Sequence, residues 1–119
     1  MNFNSMVCGD ATKIMNTLPS ESVDLIIADP PYNLGKDYGN NIDLRAWNEY
    51  EEFTQDWLSE ASRILKPTGT IYSFMGVRYI SNLFRRLEDL GLEFNSWITW
   101  HYTPLVSGKS ECILVLNLL

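Results

Sequence analysis

Val23-Asp24-Leu25-Ile26-Ile27-Ala28-Asp29-Pro30-Pro31-Tyr32 is the stretch on which the reading of this chain turns. Residues 23–28 are nearly all apolar, the pattern of a strand covered on both faces. The run stops at Asp29 because the two prolines that follow cannot donate to a sheet ladder. This predicts a buried strand whose carboxyl end carries Asp-Pro-Pro-Tyr, the edge of an open α/β sheet where ligands gather.

Working outward, short apolar runs alternate with helical patterns, which predicts an α/β domain with a mainly parallel sheet. Upstream, Asn4 to Cys8 reads as a first strand closed by Gly9-Asp10, followed by a short helix from Thr12 to Leu18 and a turn at Pro19 to Ser22. Downstream, Asn33 to Asp43 is rich in Asn, Gly and Asp and reads as a surface loop of about ten residues, a length more often functional than incidental. Trp47 to Leu65 is the clearest helix: Tyr50, Phe53, Trp57, Ala61 and Ile64 recur at helical spacing, with Leu58 and Leu65 widening the stripe. Core packing accounts for that aromatic stripe without a cofactor role. Lys66-Pro67-Thr68-Gly69 reads as a turn into a strand at Thr70 to Phe74. A second amphipathic helix follows at Val77 to Leu90, with Gly91 at its end. Phe94 to Tyr102 and Glu111 to Leu116 read as two closing strands, and the short Thr103–Ser110 connection predicts an antiparallel return.

The 119 residues allow one domain with a modest core. A hydrophobic share of 45% and four tryptophans argue for a folded chain. No apolar run reaches the roughly 18 residues of a membrane span, and no basic region precedes an apolar stretch at the N-terminus. The expectation is a soluble, cytoplasmic protein. Cys8 and Cys112 lie in apolar segments without CxxC spacing, and His101 has no partner ligand in the sequence nearby. Inert thiols and no metal are therefore expected. The net charge is −6, with nine Lys and Arg that do not cluster. Nucleic-acid binders usually carry a basic face, so most phosphate contacts to any nucleic acid must come from elsewhere. The absence of a GxxxxGK[ST] loop argues against a nucleotide hydrolase.

Asp29-Pro30-Pro31-Tyr32 makes chemical sense as a unit. An exocyclic amine conjugated into a purine is a poor nucleophile, because its lone pair is delocalised into the ring. The Asp29 carboxylate and a proline carbonyl can accept its two N–H groups, favouring a tetrahedral nitrogen whose lone pair points at a methyl donor. The prolines stiffen the turn that presents those carbonyls, and Tyr32 offers an aromatic face for a flipped base. The plain alternative is a strand end with ordinary Asp-Pro turn chemistry.

Asp29 to Tyr32 resembles the catalytic motif of DNA amino-methyltransferases, which act on adenine N6 or cytosine N4. Gly9-Asp10-Ala11 resembles the acidic strand end that borders the cofactor adenine in that family, and residues 63–69 (RILKPTG) resemble its RxLKPGG turn, with Thr68 in place of the first glycine. The matches cover nearly the whole chain in the family's order, in the permuted class with the catalytic segment first. The resemblance implies a partial Rossmann-like methyltransferase fold, mostly parallel with an antiparallel final strand. It implies S-adenosylmethionine as cofactor and double-stranded DNA with a flipped base as substrate. Asp29, Pro30, Pro31 and Tyr32 are then catalytic, and Asp10 is cofactor-binding. The Asp form of the motif favours adenine N6 over cytosine N4; enzymes methylating protein glutamine through Asn-Pro-Pro-Tyr share the chemistry.

The family's glycine-rich cofactor turn, aromatic-x-Gly-x-Gly, is absent from these residues, as is the target-recognition region; Phe74-Met75-Gly76 has one glycine and leads into the wrong helix. Residues 1–119 are thus expected to form a single catalytic-half domain, truncated or split, with a second polypeptide as one source of the remainder. By family analogy the Asn4–Cys8 strand belongs beyond two strands that are not here. Either the sheet has a gap at that place, or this strand pairs directly with Val23–Ala28. A non-catalytic remnant acting as a binding module, and an RNA or protein amide methyltransferase, remain open alternatives. Tyr38, Arg45 and Trp47, in or near the loop after the motif, are candidates for substrate contact, against a solvated or core-capping role.

Overall fold

A computed structural model of the chain describes residues 4–33, 35–37, 42–43, 45–102 and 109–118, and the side chains of most of these. Helix α1 (Ala11–Asn16) precedes strand β1 (Val23–Ala28), and the short strands β2 (Lys36–Asp37) and β3 (Ile42–Asp43) pair antiparallel in the loop that follows. Helix α2 (Trp47–Ile64) runs straight into β4 (Leu65–Met75); a 3-10 turn at Val77–Tyr79 leads into α3 (Ile80–Asp89), and β5 (Leu92–Tyr102) and β6 (Lys109–Leu118) close the chain. The main sheet has the order β1-β4-β6-β5. β1 and β4 are parallel, and β6 runs antiparallel to both β4 and β5. The expected antiparallel final strand is therefore present, inserted between two strands that point the other way. Residues 103–108 of the expected return lie outside the described residues, as does Tyr38.

The apolar stripe of α2 packs as its spacing predicts: Tyr50, Trp57, Leu58, Ala61 and Ile64 are buried, and Phe53 is half-buried. Glu49 in the first turn and Arg63 in the last complement the helix dipole. The stripe lies on the sheet face made by Ile26, Ile71 and Met75, and α3 adds Leu83 and Leu87 to the same core. Phe84 of α3 meets Phe94 of β5 edge-on, with ring centroids 4.9 Å apart. Leu58, Leu65, Leu87 and Leu92 are fully buried, each stabilising the fold by about 1.5–3 kcal/mol relative to exposure.

Three expectations are corrected. The first concerns Asn4 to Cys8, which is not a strand: Met6 is fully exposed, Val7 and the Cys8 thiol are exposed, and the segment is a strand of neither sheet. Strand geometry needs a ladder partner, and β1 has β4 as its one neighbour in the sheet among the described residues. Both alternatives presuppose a strand at Asn4–Cys8, and neither is realised: β1 stands at the edge of the sheet among the described residues.

β1, secondly, is not covered on both faces. Ile26 and Ala28 pack on the helical layer, whereas Leu25 is 52% and Ile27 69% exposed on the opposite face. Apolar composition alone does not say how many faces are covered.

The third correction is at Lys66 to Gly69, which is part of β4 and not a turn before it. The parallel register jumps from Val23↔Leu65 to Leu25↔Thr70, so the segment bulges out of the ladder. Lys66 ties the bulge to β1 through a 2.9 Å pair with Asp24. At Gly69 a Cβ would lie 2.7 Å from Leu65 Cδ1 and 3.0 Å from the Lys66 carbonyl oxygen, so the tight fold of the bulge accounts for the glycine.

Candidate active site

Asp29 to Tyr32 leave the carboxyl end of β1 as a short non-repetitive segment. Within it, the Tyr32 hydroxyl donates to Asp29 Oδ1 at 2.6 Å. The structure thus brings together the carboxylate and the aromatic ring that the motif places three residues apart. One carboxylate oxygen is engaged by the phenol and the other points away from that bond. Among the described residues, Tyr50 Oη donates to the Pro31 carbonyl at 3.0 Å, while none donates to the Pro30 carbonyl. Among the described residues, Pro30 O and the second oxygen of Asp29 are the acceptors this segment leaves for a substrate.

The segment ends at Asn33, which is 4% exposed and has φ of 58°, a left-handed conformation that asparagine tolerates better than most residues. Its Oδ1 accepts the Arg45 N–H, and its Nδ2 donates to the Arg45 carbonyl at 3.1 Å and to the Tyr79 hydroxyl at 3.4 Å. One amide therefore closes the loop that contains β2 and β3. Behind the motif, Gly76 abuts Tyr32: a Cβ there would come within 3.2 Å of Tyr32 Cβ. The 3-10 turn and α2 add an aromatic wall, in which Trp47 stacks on Tyr79 at 4.9 Å and Tyr79 meets Tyr50 at the same distance. Arg45 lies over the Phe53 ring at 4.1 Å. Of the loop residues expected near substrate, Trp47 and Arg45 are thus both engaged in packing beside the motif.

Asp10 caps α1, its carboxylate accepting the Lys13 N–H at 3.2 Å. It does not touch Asp29. Asp10 and Asp29 instead line one hollow of about 760 Å³ between α1, α2 and the open edge of β1. Asp10, Asp29 and Asp56 outnumber Lys13 and Arg45 in its lining. An acidic hollow of this size suits S-adenosylmethionine, whose sulfonium and ammonium outweigh its one carboxylate, so the residues present fit that cofactor along one wall. Among the described residues no cluster of His, Cys, Asp and Glu is arranged to hold a metal ion, and no helix is long and apolar enough to cross a membrane.

Asn33, Tyr79 and Gly76 were not singled out by the sequence, and Tyr50 reads there only as part of a core stripe. A signal existed for two of them: asparagine directly after Pro-Pro-Tyr is a residue type suited to positive φ, and a tyrosine in an apolar stripe brings a hydroxyl that needs a partner when buried.

The fold is that of an α/β methyltransferase domain. The family described as DNA methylase, of the N6/N4 type, matches residues 23–115, and the chain belongs to it. It is similar to the type II methyltransferase M.HpaI of Haemophilus parainfluenzae, with 57% identity over 107 residues, 89% of this chain and 34% of that protein. M.BamHI of Bacillus amyloliquefaciens is 34% identical over 92 residues, 76% of this chain and 22% of that one. The chain thus spans about a third or less of the length of these relatives. Among solved structures, the putative DNA modification methylase TTHA0409 of Thermus thermophilus superposes with a TM-score of 0.69 at 25% identity, covering 92% of this chain and 52% of that one. The cytosine-N4-specific PvuII DNA methyltransferase shares the fold, with a TM-score of 0.74 at 19% identity over 95% of this chain and 48% of that chain.

Proposed function

We propose that this chain is the catalytic segment of a DNA methyltransferase that transfers a methyl group from S-adenosylmethionine to adenine N6 of a flipped base. The observation that carries the reading is the pair of acceptors left at the strand end among the described residues, the second oxygen of Asp29 and the Pro30 carbonyl, beside the ring of Tyr32. Asp29 accepts one N–H of the amine and orients its lone pair, Pro30 accepts the other, Pro31 stiffens the turn, and Tyr32 stacks on the base. Asp10 lines the same hollow as Asp29, where it borders the cofactor. S-adenosylmethionine, when bound, supplies the electrophilic methyl group that the amine displaces from sulfur. The type II names of M.HpaI and M.BamHI support a place in restriction-modification. The open edge of β1 supports a need for further strands, from a longer chain or from a second polypeptide.

The test is transfer of labelled methyl from S-adenosylmethionine to double-stranded DNA, with the product nucleosides separated. N6-methyladenine is expected; N4-methylcytosine would reverse the choice of base. Asp29→Ala is expected to abolish transfer, and full activity in that variant would overturn the assignment of the site.

A further inference from the structure

The turn that carries Asp29 is held from outside at two points, one on each side of Tyr32. On one side, the Tyr50 hydroxyl takes the Pro31 carbonyl. Tyr50 is 4% exposed and its ring is wedged against Phe53 and Tyr79, so the hydroxyl has little freedom to swing away. On the other side, the Asn33 amide grips both main-chain groups of Arg45 and reaches the hydroxyl of Tyr79, the same ring that packs on Tyr50. Pro31 and Asn33 are thus pinned to one aromatic unit, and Tyr32 between them rests on Gly76.

We propose that Asn33 and Tyr50 are positioning residues that hold the Asp29–Tyr32 turn in register, so that the Pro31 carbonyl is engaged and the Pro30 carbonyl is the one presented to the substrate amine. The inference rests on the amine-methylating reading of the site. Neighbouring carbonyls in a turn point in different directions, and rotation of a planar peptide unit about the bonds that flank it turns its carbonyl away. Each proline fixes its own φ, and Pro31 also confines ψ of Pro30, but ψ of Pro31 is left free, so the motif does not by itself set the direction of the Pro31 carbonyl. A contact from α2 does. A displacement of about 1 Å in a reacting group can cost roughly 100-fold in rate, which is the scale on which such pinning acts.

The test uses the full chain with ring-¹³C tyrosine, Tyr32 being assigned with the Tyr32→Phe variant. Tyr50→Phe and Asn33→Gly are each expected to move or broaden the Tyr32 ring signals while amides of α3 and β5 stay in place. Glycine accepts the positive φ but lacks the amide, so it separates backbone conformation from the clasp. Asn33→Asp keeps the acceptor for the Arg45 N–H and is expected to displace Tyr32 less. Tyr32 signals unchanged in both variants, or amides moving throughout the chain, would overturn the proposal. Should Asn33→Gly fail to fold, Tyr50→Phe decides alone. Where wild-type chain transfers methyl, Tyr50→Phe is expected to lower kcat about 10- to 100-fold with KM for S-adenosylmethionine within about twofold; a change confined to KM refutes the role. If wild-type chain transfers none, the need for further strands accounts for it, and the Tyr32 signals alone decide the positioning.

Discussion

Arg63 joins α1, whose N-cap is Asp10, to α2, and its loss should be felt at that junction. From the end of α2, its Nη2 donates to the Met15 carbonyl at 2.8 Å, and its Nη1 donates to the Leu18 carbonyl at 3.0 Å and to Ser20 Oγ at 3.1 Å. These acceptors lie at and just beyond the end of α1, and the Met15 carbonyl also accepts the Leu18 N–H at 2.9 Å. Nε and Nη2 also hold Glu60 Oε2 at 3.0 and 2.8 Å. A charged donor to a neutral acceptor contributes about 1 kcal/mol or somewhat more. The Glu60 pair, with side chains 32% and 18% exposed, is solvent-screened and contributes about 0.5 kcal/mol. Water can reach the half-buried carbonyls when the guanidinium is gone, which offsets part of the sum. Arg63→Met should therefore cost about 2–3 kcal/mol, a fall of roughly 10 °C in Tm for a domain of this size. Arg63→Lys should recover less than half, because one ammonium cannot serve acceptors on three sides of a planar fork. Thermal and urea unfolding followed by circular dichroism measure this. A loss below about 0.5 kcal/mol, or full recovery with lysine, would refute the view that the guanidinium fastens α1 to α2. Because α1 begins at Asp10, the same variant should weaken binding of S-adenosylmethionine more than it perturbs the Tyr32 ring, a difference that calorimetric titration would read.

Two further outcomes follow from the same geometry. Tyr32→Phe keeps the stacking ring and removes the 2.6 Å bond to Asp29; transfer should fall by about tenfold, much less than in Asp29→Ala, and equal losses in steady-state assays would show that the hydroxyl is essential to orienting the carboxylate. Ile27→Lys replaces a side chain 69% exposed on the uncovered sheet face, so Tm of the isolated chain should change by no more than the equivalent of about 0.5 kcal/mol. Self-association should decrease, as light scattering would show, because apolar edge strands invite pairing; a large drop in Tm would mean that this face is covered after all.

Local chemistry was legible wherever it was repeated or sharply punctuated. The helical stripe from Tyr50 to Ile64 announced α2 and most of its buried residues, because a period near 3.6 can be satisfied in only one way against a core. The prolines after Asp29 marked the end of β1, and the final strand pair followed from two apolar runs and a short connection. Tertiary placement decided what remained. Residues 4–8 have a strand's composition but lack a ladder partner beside β1, so they remain irregular. Leu25 and Ile27 look like core residues, and only the arrangement of all three helices on the opposite face leaves them in water. Lys66 to Gly69 read as a turn because Pro and Gly mark turns, yet β1 and β4 accommodate them as a bulge that Lys66 ties down. The candidate site divides in the same way. Asp29 to Tyr32 are contiguous and were visible as a motif, whereas Asn33, Tyr50, Tyr79 and Gly76 act on the motif from separate elements. Their roles depend on single hydrogen bonds and one close approach, and such contacts leave no period in a sequence because the chain must fold before the partners meet.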